Sequence, residues 1–208
     1  MKVAERLLGE RGIGAVSLRE IAAAAGQRNN SAVAYQFGSR QGLIEAVFEY
    51  RMARNDERRR AMLAAMPPQP GTRDLLEAFF LPMAESIGHD DGVSWHARFL
   101  RQVVFEPGFD VFAPGRLDVS TGLRAVITGL SHRLAHLPGP IRGRRLLQVW
   151  QMVIHSLADH EAQLAHRAAV MPIPLLVADL VDCAEAVLVA PVSADTRREL
   201  DRIGRNGD

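Results

Sequence analysis

The chain has 208 residues, of which 48% are hydrophobic and 24% charged. This is an ordinary globular composition, long enough for one large domain or a small one joined to a larger one. A single cysteine, Cys183, excludes an internal disulfide and is expected to be a small buried apolar residue. The net charge of +1 is unevenly spread: residues 1–63 hold eleven Lys/Arg against seven Asp/Glu, and the remainder fourteen against seventeen. A basic N-terminal part joined to a mildly acidic remainder points to two jobs in one chain.

The N-terminus becomes charged at Glu5, Arg6, Glu10 and Arg11 before any apolar run develops, so no signal peptide is expected. The most apolar segment, Pro172 to Val192, is interrupted by Asp179, Asp182 and Glu185, which argues against a membrane span. A soluble cytoplasmic protein is the expectation.

In chain order, "KVAERLLGERG" reads as a first helix stopped by Gly12 and Gly14. "SLREIAAAAG" reads as a second, with Ser17 and Glu20 at capping-box spacing and Gly26 as its stop. Leu18, Ile21, Ala22 and Ala25 share one face of it. After the turn "QRNN", a third helix lies within "NNSAVAYQF", from Asn29 to Phe37. Gly38 breaks it, and Ser39 caps a long fourth helix whose far end, "DERRR", reads as a solvated charge run. "PPQPG", residues 67–71, is the clearest punctuation. Beyond it helices are expected at 73–88, 94–105, 116–136, 142–168 and 173–190, separated by "GHDDG", "EPGFD", "LPGP" and "MPIP". Strand alternation with hairpin turn signals is missing, so the chain reads as all-α.

Residues 2–37 have the layout of a helix-turn-helix. On a helical wheel Val33 and Phe37 share one face and plug inward. Ser31 and Tyr35 point the other way, flanked by Ala32, Ala34 and Gln36. A merely solvated helix would carry Glu and Lys, yet no charge lies between Asn29 and Phe37. Hydroxyls and amides can hydrogen-bond base edges or phosphates, and alanine can touch a thymine methyl, so this face suits a major groove. The alternative is an all-α ligand carrier or enzyme without DNA binding.

"GIGAVSLREIAAAAG", the turn and "SAVAYQFGSRQGLIEAVF" closely resemble the TetR family of bacterial transcriptional regulators, over roughly the first 50 residues. The resemblance implies an N-terminal three-helix helix-turn-helix domain, residues 1–50. A long helix would join it to a C-terminal helical domain for effector binding and dimerisation, residues 51–208. It implies a homodimeric repressor on a near-palindromic double-stranded DNA operator, released by a small-molecule effector, with no cofactor and no catalysis. Carried over by position, Ser17 and Arg19 open the second helix beside DNA, and Arg28, Asn29 and Asn30 lie in the turn. Ser31, Ala32, Tyr35 and Gln36 take recognition-helix positions, and Arg40 meets phosphate from the start of the fourth helix. The sequence departs from the family pattern in a turn one residue longer, in Ala34 where an aromatic often stands, and in lacking a basic arm ahead of the first helix.

Catalytic constellations are weak. His89, Asp90 and Asp91 sit in a Gly-bounded loop, and His155 and Asp159, four apart, share a helix face without an evident third partner. No G-x-S-x-G, P-loop or H-E-x-x-H occurs. Trp95, Phe99, Phe105, Phe109 and Phe112 are core residues by default. The resemblance makes the same region an effector cavity, with Trp95, His96, Arg98, Phe99, His155 and Asp159 as pocket candidates. In the last two long helices, Ala158, Ala162, Ala165 and Ala169 form a small-residue stripe, while Asp179, Asp182 and Glu185 leave most of the final helix apolar. Such a helix needs cover on two sides, which a second copy of the chain would supply through a four-helix interface.

Overall fold

The computed structural model describes residues 1–27, 35–87, 94–106, 109–110, 112–167 and 169–205, without the side chains of Pro114 and Arg205. All regular structure among the described residues is helical. α1 spans Lys2–Arg11 and ends at Gly12, followed by a 3-10 turn at Ile13–Ala15. α2, Leu18–Ala24, begins with the expected capping box. Ser17 Oγ accepts from the Glu20 amide at 3.2 Å, and Glu20 accepts from the Ser17 amide at 2.9 Å. Residues 35–37 are helical and are called α3. The breaks after α2 and α3 are made by Gly26 and Gly38, whose φ values of 70° and 69° suit glycine above other residues.

α4, Arg40–Ala65, is the frame of the molecule, capped by Ser39 Oγ, which accepts from the Gly42 amide at 3.0 Å. Its buried stripe runs Leu43, Ile44, Val47, Phe48, Arg51, Met52, Asn55, Asp56 and Arg59. The spacing of three and four continues unbroken into the charged end. The expected solvated run "DERRR" is therefore corrected in part: Asp56 and Arg59 are buried, and Glu57, Arg58 and Arg60 are exposed.

The remaining helices are α5 (Thr72–Glu85), α6 (His96–Val104), α7 (Pro114–Val119), α8 (Thr121–Arg133), α9 (Gly139–Ala165), α10 (Ile173–Val189) and α11 (Ala194–Arg205). α6 lies between α1 and α9, while α5 packs on α4, α8 and α10, and α10 returns against α9. The shared core holds the fully buried Trp150, Phe79, Phe80 and Phe99, with Phe79 stacked on Trp150 at 5.3 Å. Burying a large side chain of this kind contributes about 1.5–3 kcal/mol, so these rings weigh heavily in holding the helices together.

Several expectations change. The single helix expected at 116–136 is two, broken at Ser120. The cause is tertiary: the Asp56 carboxylate accepts from the amides of Gly122 and Leu123 at 3.1 and 2.8 Å, capping α8 from α4. α11 was not expected. It starts where Ser193 Oγ accepts from the Thr196 amide at 3.2 Å. Ala25 is exposed rather than on the buried face of its turn, and Cys183 is exposed rather than buried. Ala158 is fully buried within the subunit, so the small-residue stripe does not face outward along its length. Among the described residues, no helix is long and apolar enough to cross a membrane.

Candidate nucleic-acid interface

Three helix ends present the described part of the expected interface. At the head of α2, Ser17 and Arg19 are exposed. Glu20 beside them is held well down, to about 2, chiefly by the Ser17 amide, then by the Ser17 hydroxyl and Arg11, whose Nη2 donates to it at 2.9 Å. The cap therefore stays ionised throughout the neutral range, and Arg19 is left outside it. At the end of α3, Tyr35 is 94% exposed and Gln36 is exposed, while Phe37 is partly buried against the core. The inward phenyl and outward phenol follow the wheel as read from sequence. At the head of α4, exposed Arg40 donates from Nη1 to the Ile13 carbonyl at 3.0 Å. That bond clamps the start of α4 to the 3-10 turn, so Arg40 has a structural task whatever else it contacts. Arg28, Asn29, Asn30, Ser31 and Ala32 lie outside the described residues.

The helices behind this surface are tied to the rest of the chain by groups that sequence reasoning missed. Glu5 on α1 is buried and accepts from Arg51 Nε and Nη2 at 2.7 and 2.6 Å. Burial alone would raise its carboxyl. Hydrogen bonds from His96 and Arg51, with their charges, outweigh burial and leave it below the usual value. His96 Nδ1 lies 3.4 Å from Glu5, its Nε2 lies 3.3 Å from Asn55 Nδ2, and Ser86 Oγ donates to Asn55 Oδ1 at 3.1 Å. One polar network thus joins α1, α4, α6 and the residue closing α5. Gly9 adds close contact: a Cβ there would lie 3.1 Å from the Trp95 carbonyl oxygen and 3.2 Å from the Phe99 nitrogen. The sequence signal was present in register, since Arg51 and Asn55 sit on the apolar stripe of α4 and Glu5 sits four after Met1 and three before Leu8.

The six pocket candidates are not brought to one cavity. Trp95 donates from Nε1 to Glu10 at 2.7 Å, and His96 is fully buried in the network just described. Arg98 donates from Nε to Glu161 at 3.2 Å and from Nη2 to the Ser94 carbonyl at 2.8 Å. Glu161 also accepts from the Ala97 and Arg98 amides at 3.2 and 3.0 Å, capping α6. Phe99 is core. His155 and Asp159 do share a face, but it is the solvent side of α9, where Phe105 lies 5.2 Å from the His155 ring and Asp159 accepts from Gln163 at 2.6 Å. A cavity of about 540 Å³ opens elsewhere, between α4 and α7. No group of three or more His, Cys, Asp or Glu placed to hold a metal occurs among the described residues.

An exposed polar helix end, a capped neighbouring helix and a clamped fourth helix are the described parts of a helix-turn-helix layout. Residues 1–47 match the family model for bacterial regulatory proteins, tetR family. The match covers the helix-turn-helix region and likens residues 1–47 to the DNA-binding part of that family of transcriptional regulators. No curated protein matches the chain.

Proposed function

We propose that the protein is a cytoplasmic homodimeric repressor. It holds two half-sites of a near-palindromic operator and leaves DNA when a small molecule enters residues 51–208. Ser17, Arg19, Arg28, Asn29, Asn30, Ser31, Ala32, Tyr35, Gln36 and Arg40 are its DNA-contacting set. Arg19 and Arg40 serve the backbone, and the Ser31 hydroxyl, the Tyr35 phenol and the Gln36 amide serve the groove.

The observation that carries this reading is the seat of α1 on α6. Gly9 lets the two backbones approach within van der Waals contact, and the buried Glu5–Arg51 pair with His96 locks their register. A seat this tight moves as a unit, so displacement of α6 or α4 reorients the helices that grip DNA. Dimerisation is supported by the outer face of α10, where Leu175 and Val189 are 56% and 59% exposed beside exposed Ala186. Exposed apolar residues on an otherwise well-packed helix call for cover.

Fluorescence anisotropy of labelled DNA from the intergenic region upstream of the coding sequence tests the proposal. Saturable binding that weakens steeply with salt is expected. Absence of binding across such fragments at low salt would leave the ligand-carrier reading in its place.

A further inference from the structure

The cavity between α4 and α7 has a charge pattern of its own. Along α4, Glu45, Phe48, Glu49 and Met52 face it at spacings of three and four; from α7 come Arg116 and Val119. Two carboxylates therefore meet one guanidinium. Arg116 is already engaged. Its Nη2 lies 3.4 Å from Glu45, and its guanidinium carbon lies 3.9 Å from the centre of the Phe109 ring and 5.4 Å from that of Phe48. Glu49 is exposed and has no hydrogen bond or ion pair among the described residues.

An anion entering here would have to take Arg116 from Glu45 and then sit beside Glu49. A cation finds the Glu49 charge unneutralised among the described residues, and if it displaces Arg116 from beside the buried Phe48 ring it takes that ring's quadrupole as well. Met52 and Val119 offer apolar cover for an organic body, and about 540 Å³ is within the range of small-molecule sites. We propose that this cavity binds a bulky organic cation, its charge set at Glu49 and Glu45 and its apolar body between α4 and α7. The assignment rests on reading the protein as a regulator released by an effector; it names the effector's chemical class and extends its site from residues 51–208 back to Glu45, Phe48 and Glu49 on the first turns of α4. It also supplies a trigger. The cation competes with Arg116 for Glu45, and the Arg116–Glu45 pair joins six-residue α7 to the α4 turns just after Arg40.

The test is calorimetric titration of the full chain with tetraphenylphosphonium and with tetraphenylborate, which share a shape and differ in sign. The phosphonium is expected to bind about tenfold tighter or better, a difference of about 1.4 kcal/mol. Glu49→Gln, at an exposed position, is expected to weaken phosphonium binding about three- to tenfold while leaving the thermal midpoint unchanged. Borate binding as tight as phosphonium, no heat from either ion, or Glu49→Gln binding like the wild type would each overturn the proposal. These titrations contain no DNA, so operator binding measured separately without any ion distinguishes failure of the regulator reading from failure of the cavity.

Discussion

Glu5 shows how far a single residue can depart from what its type suggests. A carboxylate two residues before a leucine in an N-terminal helix looks like surface, yet it is 2% exposed and bonded to Arg51 through both oxygens. Breaking a buried pair by removing one charge costs about 3–5 kcal/mol, since the remaining ion loses its compensation. Glu5→Gln keeps some hydrogen bonding, so a loss of about 3 kcal/mol in urea unfolding is expected. The pH dependence follows from the lowered carboxyl. With the folded value below the ordinary 4.5, the stabilisation is complete above pH 4.5 and fades as pH falls through the folded value. The stability gap between wild type and Glu5→Gln should narrow only below that pH, and a gap that stays constant through acid would contradict the pairing. Arg59 is the same lesson on α4. It is 1% exposed and pushed down to about 10 by burial, with Asp56 opposing at 3.6 Å, and it donates to the carbonyls of Ala78 and Phe79 at 3.0 and 3.3 Å. Its fate was legible in register, three and four after Asp56 and Asn55, but composition pointed to solvent.

At the scale of elements, backbone contact and borrowed caps decide most. Gly9→Ala gains about 1 kcal/mol of helix propensity and forces a Cβ toward the α6 backbone, which costs about 1–3 kcal/mol. A net loss of about 1 kcal/mol in chemical denaturation is expected; a stabilised variant would show the α1–α6 seat to be loose. Asp56→Ala removes the acceptor for the first amides of α8 and the partner of Arg59 together. About 3–5 kcal/mol should be lost by the same assay, and a loss under about 1 kcal/mol would remove Asp56 from that role. The elements whose ends carry their own chemistry were legible. Ser17 with Glu20, Gly26, Gly38 and Ser39 all stand where helix ends were read. The split at Ser120 was not legible, because its cap comes from a residue more than sixty positions away. α11 was missed for a different reason: seven of its twelve residues are charged, so it reads as a solvated tail even though its few apolar residues, Leu200 and Ile203 among them, keep helical spacing.

For the whole molecule, the surface charge at α2 and the apolar outer face of α10 carry the expected behaviour. Arg19 is exposed and outside the capping box, unlike Arg40, whose clamp on Ile13 would confound a substitution. Arg19→Ala should weaken operator binding and reduce the salt slope by about one ion, read from anisotropy titrations at several salt concentrations. An unchanged slope would remove Arg19 from the phosphate contacts. Leu175→Glu places a charge on the exposed α10 face without touching the subunit core and should convert a dimer to monomers in sedimentation at micromolar concentration. A dimer that survives it would move the interface elsewhere.

From the sequence alone came the all-α class, the helix-turn-helix order and the outward phenol of Tyr35 against the inward Phe37, because each depends on neighbours within a few positions. Tertiary structure alone decided which charges are buried, that α6 lies against α1, and that the open cavity lies between α4 and α7. It drew His96 and Arg98 into protein-only networks and left His155 and Asp159 facing solvent. The physical reason is range: caps, turns and helical faces are set by three- and four-residue spacings, whereas an ion pair or a cavity depends on helices whose approach no local pattern encodes.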